Sequence, residues 1–147
     1  MSSTVRPIYI AEPPAHYRAR PPMVVDSSLM CALLFDEPER DDALARLAGR
    51  QLLAPQLLDH EIVNVAVKKH RRGLPIAVVE QGLQDYLEQD VELFQTDVMA
   101  QFALAERYAL SAYDAAYLWL AAEFKTPLAT FDARLADAAR RHLGALD

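Results

Sequence analysis

Short apolar runs alternate with helix-length amphipathic stretches along most of this 147-residue chain, and that alternation restricts the fold more than any other feature. Met23–Val25, Gln51–Ala54, Val91–Phe94 and Pro127–Thr130 read as short strands. Between and after them lie helical stretches: Leu29–Phe35 with Ser27 or Ser28 as its cap, Asp41–Ala48 closed by Gly49, and Leu57–Arg72 closed by Gly73. Ile76–Gln89, Val98–Tyr108, Ala112–Phe124 and Arg134–His142 complete the set. Strands separated by helices are joined by crossovers, which gives a parallel sheet with helices on both faces. The expected class is therefore α/β, three layers around a short parallel sheet, with Ala145–Leu146 as the stub of a last strand. Ligands in such folds bind outside the carboxyl ends of the strands.

At 52% hydrophobic and 24% charged residues, the chain has the composition of one globular domain. Residues 1–22 stand apart: Pro7, Pro13, Pro14, Pro21 and Pro22 are five of its nine prolines, so this segment reads as an extended arm and residues 23–147 as the domain. Arg6, Arg18 and Arg20 in the arm could touch nucleic acid, although an arm lying on the domain surface is the simpler reading. Met23 could also open a shorter product. The single Cys31, inside LMCALLF, excludes an internal disulfide and reads as a small buried hydrophobe. With no apolar stretch of about 18 residues and no signal-like leader, the expectation is a cytoplasmic protein without membrane contact. The net charge of −6 argues against a general nucleic-acid coat but not against a nuclease whose carboxylates hold a cation.

Four acids occupy separated element ends: Asp26 in MVVDSSLM, Glu61 in LLDHEIVN, Asp114 in LSAYDAAYLWLA and Asp132 in PLATFDARL. Singly, Asp26, Asp114 and Asp132 read equally well as helix N-caps and Glu61 as a solvated charge. Jointly, carboxylates converging on one cleft raise each other's pKa and call for a compensating cation. Hard oxygen donors suit Mg²⁺ or Mn²⁺, which can lower the pKa of a bound water and stabilise charge at phosphorus. Asp36, Glu37, Glu39, Asp41 and Asp42 read as a solvated face and helix start. His16, His60 and His142 show no ligand spacing.

VVDSS, then E-I-V-N on a proline-led helix, then YDAAYLWLA, then TFDARL, in that order across residues 23–147, resemble the PIN-domain family and, within it, the VapC-type toxins of bacterial toxin–antitoxin pairs. The resemblance implies a PIN-like fold in which Asp26, Glu61, Asp114 and Asp132 are catalytic and bind one or two divalent ions, Mg²⁺ or Mn²⁺. It makes Asn64 the companion of Glu61 and gives Ser28 and Thr130 the task of positioning a carboxylate or a metal-bound water. The implied activity is endoribonucleolytic, with RNA as substrate, a cognate antitoxin as inhibitor and a homodimer as the common assembly. Asp26→Asn or Asp114→Asn is expected to abolish cleavage while leaving the fold at least as stable, since each removes like-charge repulsion.

Lys68, Lys69, Arg71 and Arg72 form the dense basic run. Cations closing a helix complement its macrodipole; the alternative is contact with RNA phosphates beside the acidic pocket. Tyr113, Tyr117 and Trp119 read as core or dimer packing before base stacking. A competing reading is a non-catalytic PIN-fold module that binds RNA or protein, although such a module has no need of four repelling carboxylates. A phosphotransferase of haloacid-dehalogenase type would need a second aspartate two residues after the first, where this chain has Ser28. The arm and the short tail depart from the family pattern.

Overall fold

The computed structural model of the chain describes residues 6–9, 11 and 20–146. Its elements run β1 (Pro22–Val25), α1 (Ser27–Leu34), α2 (Arg40–Leu47), β2 (Gln51–Pro55), α3 (Leu57–Arg71) and α4 (Ile76–Glu88). They continue with β3 (Glu92–Phe94), α5 (Val98–Tyr108), α6 (Ala112–Glu123), β4 (Leu128–Ala129) and α7 (Ala133–Leu143). The alternation seen in the sequence is the alternation of the fold, and the strands form one all-parallel sheet in the order β3-β2-β1-β4.

The layers follow from that order. The chain steps from β1 to β2 to β3 in one direction, then returns across the sheet to β4. Right-handed crossovers put the helices of opposite steps on opposite faces, so α1–α4 cover one side and α5–α6 the other. The central strands are buried on both faces, as parallel strands require: Val24, Val25 and Ala54 have no exposed surface. Helix α6 packs on β1, β2 and β4. It is apolar nearly all round, with Ala115, Ala116, Tyr117, Leu118, Leu120 and Ala121 buried, as befits a helix enclosed by sheet and neighbours. Cys31 is buried in the core, as expected.

Two expectations are corrected. Helix α1 is capped by neither serine; Asp26 is the cap, because the last residue leaving β1 is already extended and its carboxylate reaches the Leu29 N–H, which starts the helix at Ser27. The stub of a last strand does not form at Ala145–Leu146. There the chain winds down from α7 in a turn, with the N–H groups of Ala145 and Leu146 bonded back to His142 and Leu143, so β4 stays at the sheet edge. Gly49 and Gly73 end their helices at φ of +73° and +110°, as the sequence suggested. Within residues 1–22, Arg18 and His16 lie outside the described residues, and Arg6, Ile8, Tyr9 and Arg20 are exposed.

One glycine is fixed by packing rather than by backbone freedom. A Cβ on Gly82 in α4 would stand 2.7 Å from the Phe35 ring and 3.3 Å from the Leu34 carbonyl, so the missing side chain lets α4 close on α1. Alanine normally improves a helix by about 1 kcal/mol over glycine. Here Gly82→Ala is expected instead to lose about 1–3 kcal/mol through overpacking, read as a lower urea midpoint at unchanged slope. A gain in stability would mean that Phe35 swings aside at no cost.

Candidate active site

Topology brings the four sequence-selected acids to one edge. In the β1/β4 register Val25 faces Ala129, so Asp26 and Thr130, each one residue further on, meet as the strands end. Helix α3 leaves from the same carboxyl edge after β2 and carries Glu61 in its second turn. Helix α6 leads directly into β4 and must begin at that edge to deliver the chain to the opposite one; Asp114 lies in its first turn. Asp132 caps α7 immediately after β4.

Asp26 is the hub. Only 4% exposed, it accepts hydrogen bonds at Oδ1 from the Ser28 hydroxyl (2.7 Å) and the Leu29 N–H (3.1 Å), and at Oδ2 from the Thr130 hydroxyl. Both hydroxyls reach onward: Ser28 Oγ accepts from the Phe131 N–H (3.0 Å) and Thr130 Oγ1 from the Asp132 N–H (2.9 Å). Asp132 Oδ1 in turn accepts from the N–H groups of Arg134 (2.9 Å) and Leu135 (3.0 Å). Glu61 is held independently. The Tyr117 hydroxyl donates to its Oε1 (2.6 Å) and the Ser27 hydroxyl to its Oε2 (3.1 Å). The Asp114 N–H donates to Ser111 Oγ (3.1 Å), the cap of α6.

Three of the four carboxyls are pushed above their ordinary value. For Asp26 burial is the main cause and the charge of Asp132 adds to it, while bonds from Thr130, Ser28 and Leu29 pull the other way. For Glu61 burial again leads, opposed by Tyr117 and Ser27 and reinforced by Asp26 and Asp114. For Asp114 burial leads, then the charges of Asp132 and Asp26, offset by Ser111 and Arg134. The acids thus repel one another across one edge. The ion pairs seen among the described residues, Arg46–Asp42 and Lys69–Glu37, include none of the four. This donor set fits a hard divalent cation in kind. Among the described residues, however, no three Asp, Glu, His or Cys side chains are gathered closely enough to hold a metal ion.

The remaining sequence-selected residues are dispersed. Asn64 is exposed on α3, one turn beyond Glu61. Lys68, Arg71 and Arg72 are exposed at the far end of that helix, whereas Lys69 pairs with Glu37 at 3.4 Å and lies over the Phe35 ring. Lys68 and Arg72 share the helix face of Glu61 but sit roughly 10 and 16 Å further along it, beyond rather than beside the acids. Tyr117 and Trp119 join the core, but Tyr113 is 64% exposed. Sequence reading missed three residues. Tyr117 reads as packing, yet its hydroxyl orients Glu61. Ser27 reads as a cap, yet its hydroxyl serves the same carboxylate. Arg134, two residues past Asp132, carries a charge that acts on Asp114. A polar tip on an otherwise apolar helix was the available signal for Tyr117.

A family model, PIN domain, matches residues 23–141. The chain is 32% identical over 124 residues to Ribonuclease VapC3 of Pyrobaculum aerophilum, spanning 78% of this chain and 92% of that protein. Its fold is similar to that in the crystal structure of PAE2754 from Pyrobaculum aerophilum, with a TM-score of 0.66 over 84% of this chain and 93% of that one, at 20% identity.

The raised carboxyls fix the direction of a pH effect. A group that binds its proton more tightly when folded stabilises the fold fully below its unfolded pKa and loses that contribution as pH rises through the folded value. In chelator, the chain is expected to melt higher near pH 5 than near pH 8, with a smaller difference in Asp114→Asn. The same difference in both proteins would show that the Asp114 carboxyl is not raised by its burial and its acidic neighbours in solution.

Proposed function

The chain belongs to the PIN-domain family, and from that premise we infer that it is a divalent-cation-dependent endoribonuclease, the toxin of a toxin–antitoxin pair. The observation that supports the reading is that Asp26, Glu61 and Asp114, on elements that leave or reach the carboxyl edge of the sheet, are raised by burial and by the charges of neighbouring acids, Asp132 among them. Similarity to Ribonuclease VapC3 supports the activity and the toxin class.

Mg²⁺ or Mn²⁺ would be held by these carboxylates and, when bound, supplies charge stabilisation at phosphorus and a more acidic water. The chain's own residues do the rest. Thr130 and Ser28 fix both oxygens of Asp26, and Tyr117 and Ser27 fix those of Glu61, so the donors are oriented before substrate arrives. Asp114, with its carboxyl raised, is suited to take a proton at Oδ from the attacking water. Arg134, close enough to act on Asp114, is suited to meet a substrate phosphate. Lys68 and Arg72 would continue phosphate contact along α3.

Partners follow from the same surface. An antitoxin segment would bring a basic side chain to the acidic edge, where an arginine gains charge-assisted hydrogen bonds. A second copy of the chain is the proposed cover for Val98, Met99 and Phe102 of α5 and Tyr113 of α6, all more than 60% exposed. No helix among the described residues is long and apolar enough to cross a membrane. We take residues 1–22 as an arm appended to the catalytic domain of residues 23–147. The competing reading, a non-catalytic module for RNA or protein, draws on the spacing of the acids, since no three of the described metal-competent side chains converge.

The deciding experiment is cleavage of a pool of tRNA and structured RNA by the purified chain with Mg²⁺, Mn²⁺ or EDTA, beside Asp114→Asn. Cutting that needs metal and falls by about 100-fold or more in the variant, which keeps its fold, is the expected result. Asp114 is the better target than Asp26, because Asp26 is also the cap of α1 and its replacement disturbs two hydroxyl bonds. Bound RNA left intact under every metal would select the non-catalytic module.

A further inference from the structure

A cavity of about 300 Å³ opens beside the acids, lined by Ser27, Ser28, Cys31, Glu37, Glu39, Val65 and Phe131. Its position follows from helix geometry. Ser27 and Ser28 hold Glu61 and Asp26, and Cys31 is the next turn of α1; Glu61 lies on α3, and Val65 is its next turn. The cavity therefore runs directly away from the carboxylates, between α1 and α3. Its volume is at the lower bound of ligand pockets, roughly 300 Å³, which suits one planar ring system rather than an extended ligand.

The lining has two characters. Val65, Cys31 and the half-exposed Phe131 ring supply an apolar floor and an aromatic face. Burial pushes the Cys31 thiol up to about 12, so it stays neutral and behaves as part of the floor. The rim is anionic. Glu37 is engaged by Lys69, which itself rests over Phe35. Glu39, the N-terminal boundary residue of α2, is exposed, and its side chain makes no cap bond, so its carboxylate remains available.

Resting on the ribonuclease reading, we propose that this cavity is a nucleobase subsite that takes an unstacked guanine of the substrate, with Phe131 stacking on the ring and Glu39 reading its edge. An aromatic face accepts any base, so selectivity must come from the rim. A carboxylate offers acceptors only. Guanine presents two adjacent donors, N1–H and the 2-amino group, and so pairs with it through two parallel hydrogen bonds. Adenine and cytosine each set one amino donor beside a ring acceptor that the carboxylate repels, and uracil flanks its single donor with two acceptors. The Phe131 N–H bonded to Ser28 Oγ ties the stacking residue to the carboxylate network, so base and scissile phosphate would be held by one frame.

The test measures binding apart from cutting. Fluorescence anisotropy on full-length Asp114→Asn, with uridine-rich octanucleotides containing one guanine, inosine, adenine or cytosine, is expected to show guanine bound about tenfold more tightly than the others, inosine included because it lacks the 2-amino group. Adding Glu39→Gln should shift the preference toward adenine, whose edge an amide can match. Adding Phe131→Ala should weaken guanine, adenine and cytosine alike by about fivefold or more. Equal affinity for all four oligonucleotides, or a guanine preference that survives Glu39→Gln, overturns the subsite. An arginine-containing peptide that binds this cavity in place of RNA, with no base preference in any oligonucleotide, overturns it too and assigns the cavity to a protein partner. Wild-type chain that cuts no RNA while the guanine preference holds would defeat the nuclease reading and leave the subsite standing.

Discussion

The parallel register of β1 against β4 is the constraint from which the rest of the site derives. It sets Val25 opposite Ala129, and therefore sets Asp26 beside Thr130 where both strands end. One buried carboxylate then does two jobs: it closes the first turn of α1 and it gathers the Thr130 and Ser28 hydroxyls. Those hydroxyls accept from the next N–H groups along the β4–α7 loop, which fixes Phe131 and Asp132 in turn. A shift of β4 by one residue would move all of these groups together.

The arrangement is stable locally and unfavourable electrostatically. Every carboxylate of the set that accepts hydrogen bonds is held firmly, yet the set as a whole carries like charges into partly buried surroundings, with the Arg134 charge offsetting them at Asp114. Structural acids of a globular domain usually end in ion pairs or in water. Buried Asp26 and the part-buried Glu61 and Asp114 have neither an ion pair among the described residues nor full exposure, and they lie toward the edge where ligands of parallel-sheet folds bind. The hydroxyls of Tyr117 and Ser27 show how the cost is limited: each stabilises the ionised form of Glu61 without cancelling its charge.

Much of this was legible in the sequence because it rests on local patterns. Strand and helix alternate in plain view, and helix ends at Gly49 and Gly73 follow from glycine's tolerance of positive φ. The acids stood out through the family pattern and their places along the chain, although only Asp26 and Asp132 prove to be helix caps, with Asp114 in a first turn and Glu61 a turn inside α3. What the sequence hid is long-range. Nothing local distinguishes the Tyr117 hydroxyl, which meets an acid 56 residues away, from a packing tyrosine. The serine at position 27 looked like a cap because caps are a property of neighbours, whereas its partner Glu61 is 34 residues distant. The final strand was inferred from apolar Ala145 and Leu146, but strand pairing needs free donors, and theirs are bonded back to α7. Spacing of the basic run along α3 was likewise a matter of three-dimensional length, which places Lys68 and Arg72 beyond the acids.

Strand β4 has only two residues and pairs on one side alone. Thr130 and Asp132 of the candidate site, with Phe131 between them, are attached through it. Few ladder bonds secure this edge, so the free energy of detaching it is a small part of that of unfolding the domain. An opening of this edge in native-state hydrogen exchange would separate Thr130 from Asp26. Assembly of the site is in that sense a folding step of its own, and anything that bridges β1 and β4 across the carboxyl edge would complete it.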